Sequence, residues 1–480
     1  MKIETKKNAS KASVDVRFTP GTVSKFRTEG GREELAVAYG ATKSLRRRKL
    51  VLLLRKTVAT AKHYKLKSLV FSWNDIRELA AQDIDDAALG ELLAVAFSMA
   101  DFEFVAYKKR PEDGFSFVED ATVTGAPASA ERGMRRGAIV GEEVNACRTL
   151  ANTPGKDMTP EILLAAARKA VRGTSVSVKA LGRAEMKKLG MGAVLGVAQG
   201  SVEEPKFIIL EYKGGAAPSA RSARSGRSKQ SQRPIVLIGK GVTFDSGGLN
   251  IKPGDSMLEM HMDMSGGAAV IHAIALAARL KVPANVVGLI PAVENMPSGS
   301  ATRPGDIVKS LSGRTIEILN TDAEGRVILA DAITYAKRYD PSLVVEASTL
   351  TGASLTALGL HASALMSTDE VLEKRLIEQG EESGDYLWPF PMWEEYEDMV
   401  KGNFGDVANI PASGNTRYAG VIGGGMFLRE FAKDLSCPFA HLDIAPRMTA
   451  SPHEHLAKGA IGTPVRLFLK IIEGAALQAK

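Results

Sequence analysis

Cysteine is scarce in this sequence. The two residues, Cys147 and Cys437, lie far apart and without metal-type spacing, which excludes a disulfide framework and a thiolate zinc site and fits a reducing compartment. Histidine is also sparse, at seven residues. No HExxH sequence occurs, so a single-zinc protease helix is excluded. No stretch reaches the roughly 18 to 20 uninterrupted apolar residues of a membrane-spanning helix, so no membrane partner is expected. Aromatic residues make up only 6% of the chain, and none interleaves the one strongly basic segment. Nucleic acid is therefore not an expected partner, because base stacking needs such rings.

What is present describes an ordinary globular chain. Of 480 residues, 45% are apolar and 24% charged, and this length exceeds one common hydrophobic core, so two domains are expected. Met1 to Ser13 is rich in Lys, lacks an apolar middle and contains Glu4, and reads as a mature cytoplasmic N-terminus. The formal net charge is +7, and five basic residues (Arg221, Arg224, Arg227, Lys229 and Arg233) fall between residues 219 and 233 with no acidic neighbour. That Ser/Arg/Gly-rich segment reads as a flexible basic loop insert over 215–233.

The expected fold class is α/β, with a small N-terminal α/β domain over 1–130, a connecting helix over 131–154 and a larger α/β domain over 155–480. The first region mixes short apolar runs (LVLLL, SLVFSW and DFEFVAY) with helical stretches such as Asp83 to Met99, and Arg46 to Lys49 read as the polar end of a helix. In the larger domain FIILEY, PIVLIG, NVVGLIPA, TIEIL, SLVVEAS and FAHLDIA alternate with helices near 266–280 and 326–338. Such alternation predicts a mixed, mostly parallel sheet covered by helices. Ligands bind beyond the carboxyl ends of the strands in such sheets.

Those ends are rich in charge. Lys240, Asp245 and Lys252 follow PIVLIG, Asp263 precedes the next helix, and Asp322, Glu324 and Arg326 follow TIEIL. Four carboxylates brought together without cations would repel, and at least one would take up a proton. A pair of divalent ions about 3.5 to 4 Å apart resolves that conflict and activates water. The one-residue spacing of Asp322 and Glu324 suits a bridging role. Oxygen ligands leave Mn, Mg and Zn all plausible, and the residues alone leave a two-metal phosphatase or dipeptidase open beside an aminopeptidase.

The string NTDAEGRVILADA, Asn320 to Ala332, resembles the signature of the leucyl aminopeptidase (cytosol aminopeptidase) family, and GKGVTFDSGGLNIKP, Gly239 to Pro253, resembles its companion segment. The likeness extends over roughly residues 150 to 475. It implies a metal-dependent hydrolase, a homohexamer, that removes the N-terminal residue, leucine-like by preference, from peptides through a two-metal site. In that resemblance Lys240, Asp245, Asp263 and Glu324 hold one metal, and Asp245, Asp322 and Glu324 the other. Lys252 stabilises the tetrahedral gem-diolate, and Arg326 holds a bicarbonate ion that serves as general base. Met260, Thr349, Leu350, Gly352, Ala445 and Met448 match the residues that contact the substrate. Pro446 and Arg447 depart from the small residues expected after HLDIA, and His441 reads as a satisfied structural histidine.

Overall fold

Buried apolar side chains form one cluster within residues 14–134 and another within 186–439, with further buried residues such as Ile271 and Phe468 outside both, and the chain divides into two compact units. The first comprises Met1–Asn145 with Ala450–Gly459, the second Ala146–Thr449 with Ala460–Lys480. The structure, a computed structural model, describes residues 1–6, 13–29, 32–41, 43–215, 233–412, 414 and 418–478. The basic insert lies outside the described residues except at its ends. One end, Arg233, is bound to its surroundings: its guanidinium donates to Asp340, Pro341 and Ser436. Among the described residues no helix is long and apolar enough to cross a membrane.

The first unit is built on a six-stranded sheet. Its strands are β1 (Lys2–Lys6), β2 (Val14–Thr19), β3 (Lys25–Glu29), β4 (Arg32–Ala38), β5 (Ser68–Ser72) and β6 (Asp120–Thr124). They lie in the order β1-β6-β5-β2-β4-β3, and every pair is parallel except β3 with β4. The LVLLL run sits in the helix Arg47–His63, with Arg46 as its N-cap, so the basic cluster is the helix end that the sequence suggests. The apolar run from Asp101 to Tyr107 forms no strand.

The second unit contains β7 (Ser177–Leu181), β8 (Lys206–Lys213), β9 (Ile235–Gly239), β10 (Gly241–Asp245), β11 (Asn285–Asn295), β12 (Ile307–Lys309), β13 (Thr315–Glu317), β14 (Leu343–Ser348), β15 (Ser363–Ser367), β16 (Leu387–Pro389), β17 (Val407–Ala408) and β18 (Phe439–Asp443). Nine of these form one mixed sheet in the order β16-β15-β18-β14-β9-β11-β8-β7, with β10 paired to β11. The centre, β18-β14-β9-β11, is parallel, whereas β8 joins β11 antiparallel. Every residue of β9, β14 and β18 is buried, as befits strands covered on both faces. The TIEIL segment departs from the expectation: β13 belongs to a separate three-stranded sheet with β12 and β17. Its apolar alternation is satisfied by burying Ile316 against the same core, which periodicity alone cannot distinguish from membership of the main sheet.

Two helices press on the sheet. Ser265–Arg279 packs on β9, β11 and β14, and Glu324–Ala336 packs on β9 and β11. Close approach of the first depends on glycine: a Cβ at Gly239 would lie 2.4 Å from the Gly266 carbonyl oxygen, and one at Gly266 2.1 Å from that of Ala347. The second helix is pinned by a carboxylate. Asp331, wholly buried, accepts the Val194 N–H at 3.0 Å and the Leu311 N–H at 2.7 Å. Burial pushes this carboxyl up to about 7, against the pull of those N–H groups.

Asp331 has a native pKa above its unfolded value near 3.9, so its contribution to stability is fully present below about pH 4 and is lost as pH rises through about 7. In denaturant unfolding, the stability of the native protein relative to Asp331→Asn should fall by about 4 kcal/mol between pH 4 and pH 8. A difference that stays constant with pH rejects this assignment.

Candidate metal centre

The charged residues converge because each is delivered by a separate element of the parallel part of the sheet. Lys240 follows β9 directly, Asp245 ends β10, Asp263 stands two residues before the helix Ser265–Arg279, and Glu324 opens the helix Glu324–Ala336. Asp322 lies on the short loop before that helix. Oxygen atoms of Asp245, Asp322 and Glu324 lie within 4.8 Å of one another, a group able to hold a metal ion. Lys240, Asp245, Asp263 and Glu324 are all buried, and Asp322 is partly open.

Two lysines stand among these acids. The Lys240 ammonium lies 2.8 Å from Asp263 and 2.7 Å from Glu324, and that of Lys252 lies 2.9 Å from Asp245 and 2.5 Å from Asp322. Backbone space is fitted to these side chains. A Cβ on Gly325 would sit 2.7 Å from Lys240 Nζ, and Gly247, at φ +87°, would bring one 2.9 Å from Asp322 Oδ1. Any L side chain at Gly247 would be strained as well as crowded.

Electrostatics shows which charge is in excess. Burial lowers the pKa of the Lys240 ammonium, but Asp263, Glu324 and Asp245 outweigh it and hold that pKa above the ordinary lysine value. Lys252 behaves alike, with Asp245 foremost among the acids that raise it. The carboxyl groups of Asp263, Asp322 and Glu324 are nevertheless raised, first by burial and then by their acidic neighbours, despite the lysines. Two ammonium groups therefore do not balance four carboxylates. Asp263 Oδ2, Asp322 Oδ1 and Glu324 Oε1 face those lysines yet accept no well-directed hydrogen bond. An over-acidic, oxygen-rich, incompletely bonded pocket fits dications.

Arg326, the third residue of the same helix, is 8% exposed. One of its terminal nitrogens donates to the Asn409 carbonyl at 2.9 Å, and its Nε has no hydrogen-bond partner among the described residues. Burial lowers its pKa to about 10. A buried guanidinium with an unused donor can receive an anion.

Among the remaining candidates, Thr349 contacts this centre: it donates to Asp263 Oδ1 at 2.6 Å, and its carbonyl accepts from Lys240 at 3.2 Å. Gly352 begins a helix, Gly352–Leu358, that packs on the turn Ala445–Arg447. Met260 belongs to a turn, Met260–Met262, that packs on β10. Met260, Leu350, Ala445 and Met448 are half-buried and Gly352 is exposed. Arg447 is buried and donates to the Leu360 carbonyl. His441 is wholly buried with its Nδ1 2.5 Å from Glu346, so it is held in the core, but only half satisfied: its Nε2 has no hydrogen-bond partner among the described residues.

Sequence reasoning missed three supporting residues. Asn295, at the end of β11, donates to Asp245 Oδ1 and to the Thr321 carbonyl, each at 2.9 Å. Asp443, at the end of β18, accepts from the Leu350 and Ala445 N–H groups and from the Thr351 hydroxyl. Asn409 receives Arg326. Asn295 and Asp443 both end strands of the parallel centre, and that position was the available signal.

Comparison with known proteins follows the same lines. The sequence model of the cytosol aminopeptidase family, catalytic domain, matches residues 145–469. A probable cytosol aminopeptidase of Azoarcus sp. (strain BH72) is 47% identical over 346 residues, covering 72% of this chain and 65% of the relative. The match thus spans just under two thirds of that relative's length. Among solved structures, the bottromycin maturation enzyme BotP superposes with a TM-score of 0.83 at 26% identity, covering 98% of this chain and 100% of that one. The same enzyme in complex with Mn gives 0.82 at 26% identity, covering 97% and 99%.

Asp443→Ala strips three donors of their acceptor around Leu350, Thr351 and Ala445. Urea unfolding should register a loss of about 2 to 4 kcal/mol, with Asp443→Asn losing less because one oxygen remains. Equal stability of both variants and the native protein excludes this role.

Proposed function

Because the chain belongs to the cytosol aminopeptidase family, we propose that it is a metal-dependent aminopeptidase that hydrolyses the N-terminal residue, leucine-like by preference, from peptides. The observation that carries the reading is the excess of four clustered carboxylates, three of them buried, over two ammonium groups at the carboxyl end of the sheet's parallel centre. Lys240, Asp245, Asp263 and Glu324 would hold one divalent ion, and Asp245, Asp322 and Glu324 a second. Mn or Zn are the proposed ions, and the structure of BotP with Mn supports the former. When bound, such ions supply Lewis acidity, polarising the scissile carbonyl and activating water.

The protein's own groups do the rest. Lys252, held between Asp245 and Asp322 and less deeply buried than Lys240, keeps its positive charge and faces the negative charge that develops on the carbonyl oxygen. Arg326 would hold a bicarbonate ion, and that ion would supply a general base. Met260, Thr349, Leu350, Gly352, Ala445 and Met448 would receive the first residue, the two thioethers adapting to a branched apolar side chain. The names of the relatives support a cytosolic setting.

The deciding assay is turnover of leucine p-nitroanilide after chelation and return of Mn, Zn or Mg. Turnover should vanish on chelation and recover with the metal. Glu324→Ala should lower it by more than the roughly 100-fold that loss of an outer ligand partner causes, while the folded far-ultraviolet spectrum is kept. A fully active Glu324→Ala protein defeats the mechanism.

Lys240 is an ammonium in the metal-free protein, held so by its acidic neighbours, and an amine ligates only when neutral. Metal uptake should therefore release at least one proton at pH 7, and apparent affinity should rise with pH. Calorimetric titration with Mn in two buffers of different ionisation enthalpy counts the protons. A count of zero removes Lys240 from the ligand set.

A further inference from the structure

Asp322 lies at the end of a short irregular loop, Glu324 opens the helix that follows, and Arg326 is the third residue of that helix. One buried amide reaches the whole stretch. Asn409 follows β17 directly and is wholly inaccessible. Its Oδ1 accepts the Leu319 N–H at 2.8 Å and the Asn320 N–H at 3.3 Å, and its Nδ2 donates to the Asn320 carbonyl at 2.6 Å and the Ala323 carbonyl at 3.3 Å. A primary amide has two donor hydrogens and two acceptor lone pairs, so the capacity of this side chain is filled by the loop that bears Asp322. Its main chain continues the pattern: the N–H donates to the Glu317 carbonyl at 3.0 Å, and the carbonyl accepts Arg326 at 2.9 Å.

Asn409 is itself held firmly. Val407 and Ala408 pair in register with Ile316 and Glu317. The Glu317 carboxylate accepts the N–H groups of Asn403 and Phe404 at 2.8 and 3.0 Å, and Asp406 accepts both the N–H and the hydroxyl of Thr315. The strand that precedes Asn409 is thereby fixed to the strand that precedes the loop, and the amide closes the remaining gap. The rest of the loop is held at Thr321, by Asn295 of β11, Asn250 and Gly247, and at the Asp322 N–H, by Asn320 Oδ1, whereas Asn409 reaches Leu319, Asn320, Ala323 and Arg326 together.

We propose that Asn409 is a positioning residue for the reaction, locking the loop that carries Asp322 and Glu324 to Arg326 so that the metal ligands and the anion receptor keep one relative geometry. This rests on the aminopeptidase reading above. The amide, rather than mere volume, does the positioning, and the isosteric acid discriminates. In Asn409→Asp an oxygen replaces Nδ2 opposite the carbonyls of Asn320 and Ala323, where only a donor is tolerated. Asn409→Ala removes all four bonds and adds no charge.

The test uses the full chain, stripped of metal and titrated with Mn by calorimetry, followed by kinetics with leucine p-nitroanilide at saturating Mn. Both variants should bind Mn at least about 10-fold more weakly, in the range that loss of outer ligand partners produces. Their kcat should fall about 10-fold or more with KM within about twofold. Affinity and kcat equal to those of the native protein in folded variants overturn the proposal. A second measurement needs no variant: in the metal-free native protein the amide hydrogens of Leu319 and Asn320, which bond to Asn409 Oδ1, should exchange as slowly as those of β13. Exchange at open-loop rates also overturns it. A native protein that binds no Mn and cleaves no anilide instead counts against the aminopeptidase reading, and the hydrogen-exchange result then decides on Asn409.

Discussion

Like charge held in a space with little water is the constraint around which the second unit is arranged. Unit charges a few ångströms apart interact far more strongly inside a protein than in solvent. Asp245, Asp263, Asp322 and Glu324 can share one pocket only because Lys240 and Lys252 lie between them. That compensation is partial, and the neighbourhood is shaped to sustain the remainder. Gly325 leaves room for the Lys240 chain, Gly247 turns the backbone beneath Asp322, and Asn295 fixes one oxygen of Asp245. A cluster so assembled is preorganised for positive ions rather than for its own stability.

The sheet explains how residues so far apart in sequence come together. A parallel centre sends all its strands toward one edge, and the loops there meet whatever their chain positions. Asp245, Asn295 and Asp443 end three strands of this kind, while Asp263 and Glu324 sit where the chain turns into helices. Deeper in the sheet, Glu346 of β14 lies opposite His441 of β18, and their contact pairs one oxygen of the acid with one ring nitrogen, both out of reach of water. A buried group of this kind is tolerable only in such company.

Much of this was legible in the sequence, and for identifiable reasons. The segments FIILEY, PIVLIG, NVVGLIPA, SLVVEAS and FAHLDIA lie in β8, β9, β11, β14 and β18, because fully buried strands read as continuous apolar runs between turn residues. The α/β class and the gathering of Lys240, Asp245, Asp263, Asp322 and Glu324 follow from those strands. The three-stranded sheet was not legible, since TIEIL has the same alternation whichever sheet it joins. Asn295, Asn409 and Asp443 escaped because a buried amide or acid acting on backbone groups has no spacing of its own; its partners are defined only once the chain has folded. Nothing in the local composition marks Ala450–Gly459 as returning to the first unit.

The order of strands also bears on how the pocket comes into being. β9 lies beside β14, with Ile235 opposite Leu343, and β14 beside β18, with Val344 opposite Phe439. Each pairing closes a loop of roughly a hundred residues, and such closures are slow because chain entropy opposes them before any contact rewards it. Lys240, Asp245, Asp263, Asp322 and Glu324 all fall between residues 240 and 324, at or beside β9, β10 and the helices packed against β9 and β11, whereas Asp443 arrives only with β18. The hold of Asp443 on Leu350, Thr351 and Ala445 therefore waits on the second closure, while the acidic cluster draws on elements that precede β14 in the chain.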